Sequence, residues 1–92
     1  MEWRLFATLA EAAGDDEVAV GIEGEATLRE AFDALLESCP EVESEVLDED
    51  EQLYDHVRLL VDGTDPFREG EGWETTVDDG AELALFPPVS GG

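Results

Sequence analysis

The sequence predicts an α+β roll, a mixed four- to five-stranded sheet packed on one main helix. Three observations carry that expectation. Short stretches in which apolar and polar residues alternate recur toward both ends of the chain. Between them, residues 27–39 place apolar side chains at helical spacing behind a capping sequence. A single long helix with several strands has to bury its stripe against one face of one sheet.

In chain order, residues 2–7, EWRLFA, alternate and predict the first strand, with Trp3 and Leu5 on one side and Glu2, Arg4 and Phe6 on the other. Residues 9–13 are alanine-rich and predict a short helical turn closed at Gly14. Residues 17–23 alternate again, with Val18, Val20 and Ile22 inward. Thr27 and Glu30 form a capping box, and Leu28, Phe32, Leu35, Leu36 and Cys39 make one apolar stripe that Pro40 ends. Residues 41–52 are the most acidic stretch and read as a helical turn or ordered loop whose carboxylates are solvated, with Val42, Val46 and Leu47 as apolar points. No calcium-loop spacing of glycine and carboxylates occurs there. Residues 54–61 predict a strand with Val57, Leu59 and Val61 on one face and His56, Arg58 and Leu60 on the other. Asp62-Gly63 is a hairpin signal, residues 65–72 read as loop, and residues 73–77 as a short strand. Asp79-Gly80 turns into a last strand, residues 82–86, with Leu83 and Leu85 inward and Glu82, Ala84 and Phe86 outward.

That order of elements is the order of a ubiquitin-like β-grasp roll, expected over residues 1–86, with residues 87–92 as an extended C-terminal tail. In such a roll the first and last strands are neighbours and the third flanks the last. Phe6, Leu60, Ala84 and Phe86 then fall together on the outer face beside the base of the tail. A contiguous apolar patch on a highly charged surface is expected to be a contact site.

Charge narrows the function classes. The chain has 26 acidic residues against 4 basic, all arginine, for a net charge of −22. Direct nucleic-acid binding needs a basic footprint that is missing. Self-repulsion on this scale is screened at about 1 M salt, where the Debye length is about 3 Å, so the composition suits a salty cytoplasm. No apolar run nears the ~18 residues of a membrane helix and no secretory signal is visible, so no membrane contact and a cytoplasmic location are expected.

Catalytic machinery is sparse. Cys39 is the one cysteine, which excludes an internal disulfide or a cysteine cluster for zinc or iron–sulfur; its place on the helix stripe reads as a small buried hydrophobe. His56, the one histidine, has no evident nucleophile or metal partner, and no phosphate-cradling glycine loop is present. No catalytic residue, metal site or bound cofactor is therefore expected in this chain.

The stretch best suited to chemistry is residues 83–92, LALFPPVSGG, which carries no charged side chain. Pro87 and Pro88 end the ladder and hold the backbone extended. Val89, Ser90 and Gly91 lead to Gly92, whose carboxylate has no side chain near it and can enter a narrow channel. A carboxylate becomes an acyl donor only once its oxygen is part of a good leaving group. Adenylation achieves this, and the mixed anhydride then accepts sulfur or passes through a thioester to an amine.

With these residues in view, MEWRLFATLAEAAG at the start, ATLREAFDALLE in the helix and DDGAELALFPPVSGG at the end, the chain resembles the MoaD/ThiS group of ubiquitin-like sulfur carriers, most of all the small archaeal ubiquitin-like modifier proteins. The closing FPPVSGG is the most specific part. The resemblance implies that Gly92 is adenylated, at the expense of ATP, by an activating enzyme of the ubiquitin-activating, MoeB-like type. It then serves as a thiocarboxylate for molybdopterin synthesis or tRNA thiolation, or is joined to lysines of target proteins. The large subunit of molybdopterin synthase is a further implied partner. The family's contact residues map onto Phe6 and Phe86, while Leu60 and Ala84 rest on strand alternation alone. Two other readings stay open: a small molybdopterin synthase subunit acting only in sulfur transfer, and a subunit that docks through the Phe6–Phe86 patch without reacting.

Overall fold

The computed structural model describes residues 1–22, 24–54, 57–78 and 80–87. Strand β1 (Glu2–Leu5) alternates exposed and buried, as its sequence requires, and places Trp3 and Leu5 in the core. The chain then turns at Ala7, whose φ of 52° reverses its direction into helix α1 (Thr8–Ala13). Gly14 closes α1 in the left-handed conformation, φ 83°, and its N–H bonds the Ala10 carbonyl at 2.9 Å. Strand β2 (Glu17–Ala19) runs antiparallel to β1. It is shorter than its alternation suggests, because its partner strand starts at Glu2 and the last bond across is Val20 N–H to Met1 O, 2.9 Å.

Strand β3 (Ala26–Thr27) leads directly into the main helix, α2 (Leu28–Ser38). The capping box is complete. Glu30 N–H donates to Thr27 Oγ1 at 3.2 Å, and Thr27 N–H donates to Glu30 Oε1 at 3.1 Å. Leu28, Ala31, Phe32 and Leu35 are buried against the sheet. The Trp3 indole ties the two layers together by donating to the Ala31 carbonyl at 3.1 Å.

Pro40 does end α2, but it also opens another helix, α3 (Pro40–Val46), at whose first position a proline costs nothing. The acidic stretch is therefore a piece of the core wall. Val42 and Val46, one helical turn apart, are completely buried, and the carboxylates between them face solvent. Asp48 caps the turn that follows, accepting from Asp50 N–H at 2.8 Å and Gln52 N–H at 3.1 Å.

Strand β4 (Arg58–Val61) starts later than the alternation of residues 54–61 suggests; Tyr54 lies outside it, and His56 lies outside the described residues. Asp62 (φ 51°) and Gly63 (φ 81°) make the expected turn. The next segment corrects the expectation of a loop. Asp65 Oδ1 accepts the Phe67 N–H at 2.9 Å and caps α4 (Pro66–Glu69), again with proline in the first turn. A 3-10 turn, Gly72–Glu74, carries Trp73, so the expected strand at residues 73–77 contracts to β5 (Thr76–Val77). That strand pairs with β3 in a separate two-stranded sheet. Strand β6 (Glu82–Phe86) spans the residues its alternation marks.

The main sheet has the order β2-β1-β6-β4, with β1 and β6 parallel and the other pairs antiparallel. The first and last strands thus lie side by side at its centre. With α2 across one face, this is the ubiquitin-like β-grasp fold.

Candidate functional site

The outer face of the sheet, opposite α2, is built by strand parity and register. Leu5, Leu85 and Leu59 align across β1, β6 and β4 and point into the core. Their neighbours in each strand must point outward. Arg4, Ala84 and Leu60 form one outward row, and one step toward the C-terminal end of β6 come Phe86 and its partner Arg58. Phe6, immediately after β1, closes on Phe86. Their ring centroids are 4.3 Å apart and their planes 11° from parallel.

All four residues expected in the patch therefore lie on one face. Phe6 is 38% exposed, and Leu60, Ala84 and Phe86 are half-buried. No bulge interrupts the β1–β6 or β4–β6 register that brings them together. The stack excludes water between its two rings while leaving an apolar surface open to solvent.

Two residues join this face that the sequence reading placed outward without giving them a part. Arg4 and Arg58, half of the chain's cations, flank the aromatic stack. Their signal was the same period-two parity that selects Phe6 and Leu60. Arg4 approaches Glu17 at 3.5 Å with both side chains more than half exposed, a surface pair that contributes little to stability. Farther along the strands the outward row turns acidic, with Glu2 beside Glu82. The apolar and basic end of the face is thus the end from which the chain leaves β6.

Pro87 follows Phe86 and is half-buried. Pro88, Val89, Ser90, Gly91 and Gly92, the other tail positions singled out in the sequence, lie outside the described residues.

Cys39 sits at the end of α2, buried among the core side chains. Burial pushes its thiol pKa up, and the Glu41 carboxylate adds to that, so the side chain stays a neutral thiol and packs as a hydrophobe. Among the described residues no group of three or more His, Cys, Asp or Glu side chains is placed to hold a metal ion, and no helix is long and apolar enough to cross a membrane.

Residues 3–92 match the ThiS family. The chain belongs to that family. It is 48% identical to small archaeal modifier protein 1 of Haloferax volcanii, over all of both chains. A crystal structure of that modifier superimposes with a TM-score of 0.86 at 47% identity, covering 100% of this chain and 98% of the other. The solution structure of small archaeal modifier protein 1 from Methanosarcina acetivorans matches with a TM-score of 0.82 at 28% identity, covering 99% and 94%. The Amycolatopsis orientalis BexX/CysO complex contains a chain that matches with a TM-score of 0.78 at 25% identity, covering 99% and 98%. The ThiS-family chain is thus a ubiquitin-like protein related to small archaeal modifiers and to sulfur carriers.

Proposed function

We propose that this ThiS-family protein is a protein modifier and sulfur carrier whose reacting group is the Gly92 carboxylate, acting in the cytoplasm. In this reading residues 87–92 are an extended tail delivered by β6, and the Phe6–Phe86 face is where an adenylating enzyme docks. The observation that carries it is the family match, which takes in every residue from the stacked Phe86 to Gly92. Docking on the stack would hold the root of the tail, so that an extended segment without bulky terminal side chains reaches a nucleotide at a fixed distance.

The chemistry starts with activation of the carboxylate. A Gly92 carboxylate oxygen attacks the α-phosphate of ATP, and pyrophosphate leaves. The acyl-adenylate is then attacked at its carbonyl carbon, and AMP leaves. Attack by hydrosulfide gives the thiocarboxylate directly, the form needed for molybdopterin synthesis or tRNA thiolation. Attack by a persulfide gives an acyl disulfide, whose S–S bond a second thiol cleaves, leaving a disulfide and the same thiocarboxylate. Attack by an enzyme thiol gives a thioester, which a target lysine amine resolves to an isopeptide bond. The partners of this reading are a MoeB-like activating enzyme, the large subunit of molybdopterin synthase and target-protein lysines.

Intact mass spectrometry of the protein isolated from its own cells tests this. The reading expects a fraction in which one oxygen of the terminal carboxylate is replaced by sulfur, together with conjugates to larger proteins. Protein that is uniformly unmodified, with no conjugates, under conditions that demand sulfur transfer would leave only non-covalent docking.

A further inference from the structure

A groove of about 660 Å³ lies along β4, between that strand, the segment leading into it and α4. Its walls include Tyr54, Leu59, Phe67 and Trp73, together with Arg58 and Arg68. Phe67 meets Trp73 edge to face at 5.1 Å. Tyr54 and Phe67 are 41% and 43% exposed, more than Phe6 on the tail face. Two large apolar side chains are thus held open to solvent at a place that includes neither Phe6 nor Phe86.

Among the described residues that line the groove, the balance of charge is opposite in sign to that of the molecule. Two of the chain's four arginines line it, on a protein of net charge −22. Among the described lining residues the one carboxylate is Asp65, which already accepts the Phe67 N–H at 2.9 Å and lies 3.9 Å from Arg68. The Arg68 side chain is 82% exposed, and its guanidinium can meet an incoming anion.

Strand β4 is an edge of the main sheet. Val61 directs its N–H and C=O away from β6, to Thr64, at 2.8 and 2.9 Å. By strand periodicity Leu59, two residues earlier, turns its own N–H and C=O to the same side. Backbone groups, apolar walls and cations therefore face one channel.

We propose that this groove is a second docking site, which takes an extended acidic and apolar peptide segment of a partner protein beside β4. Apolar side chains of the segment pack on Tyr54, Phe67 and Trp73, its carboxylates meet Arg58 and Arg68, and its backbone pairs at Leu59. The groove adjoins the Phe6–Phe86 face at Arg58, the register partner of Phe86, but includes neither ring, so a partner bound there leaves residues 87–92 available to react or already joined to a target.

The electrostatics give this binding an unusual signature. In dilute buffer the net charge of −22 repels an acidic segment over long range. At about 1 M salt the Debye length falls to about 3 Å, so that repulsion is screened while arginine–carboxylate pairs in contact persist. Affinity should therefore rise with salt.

The experiment selects a random peptide library on the immobilised full chain in about 1 M KCl. Selected sequences are then titrated as synthetic peptides, read by amide NMR shifts, into wild type, Arg68→Glu, Tyr54→Ala and Phe86→Ala. Both groove variants change exposed side chains, and a thermal melt of each checks the fold. Selected peptides should mix Asp or Glu with Val, Leu, Ile or Phe, shift amides of β4 and α4, and bind more weakly at low salt. Affinity should fall about tenfold in Arg68→Glu and in Tyr54→Ala, and stay unchanged in Phe86→Ala. The proposal is overturned by no enrichment, by basic selected sequences or by shifts confined to the Phe6–Phe86 face. It is equally overturned if a peptide of the chain's own tail, or a second copy of the chain, fills the groove instead.

Discussion

Phe6 and Phe86 come from the ends of two parallel neighbouring strands and stack with their ring centroids 4.3 Å apart. Two aromatic side chains facing outward beside the root of the tail gain some stability from each other, but they leave apolar surface in water. That is a cost for an isolated fold and an asset for one that docks.

Phe86→Ala separates the two roles. Losing the stack should lower stability by about 1 kcal/mol, against about 2–5 kcal/mol for the core truncation Leu35→Ala. Binding to an activating enzyme should weaken by about 1–2 kcal/mol or more. Thermal melts and a binding titration on the same samples check this, and a loss of stability equal to that of Leu35→Ala would place Phe86 among the core residues.

Val42→Ala tests whether α3 belongs to the core. Val42 is completely buried, so removing two methyl groups should cost about 2 kcal/mol in denaturant unfolding. A solvated acidic segment would tolerate the same change with little loss.

Salt should govern stability. With a net charge of −22, moving from multi-molar to dilute salt lengthens the range of self-repulsion and should lower the melting temperature markedly. A melting temperature that stays constant across that range would contradict the reading of the composition as an adaptation to salt.

The chain contains no lysine, and its arginines remain protonated and are poor nucleophiles. As a modifier it should be joined to its targets singly, or at several separate lysines, without branched chains of itself. Peptide mapping of purified conjugates decides this: a tail remnant on any internal residue of this same chain would refute it.

The parts of the fold that sequence makes legible are those whose periodicity is long or sharply bounded. Thr27 and Glu30 mark the start of α2, and the alternation of Leu83, Ala84, Leu85 and Phe86 specifies both faces of β6. Once β1 and β6 are adjacent, parity places Phe6, Leu60, Ala84 and Phe86 together. Helix α3 was legible only as a helical turn or an ordered loop, because Val42 and Val46 alone interrupt its charge and because Pro40 reads as a stop while also serving as a start. Helix α4 has four residues, too few for a helical period, so its signature was reduced to the Asp65-Pro66 cap. Trp73 could not be placed without it. The ring contacts Phe67 in α4 and Phe32 in α2, a meeting of segments far apart in sequence that no local pattern announces.

The most direct test concerns the carboxylate. The intact chain and a form lacking Gly91 and Gly92 should be expressed in the native host, and their conjugates and sulfur-modified forms compared by mass spectrometry. Among the described residues the last strand ends at Phe86 and no core residue follows it, so both forms should show the same circular dichroism and melting behaviour. The account predicts tail remnants on target lysines and a thiocarboxylate at Gly92 in the intact chain, and neither in the truncated one. Conjugates or sulfur transfer persisting at normal levels without Gly91 and Gly92 would contradict it.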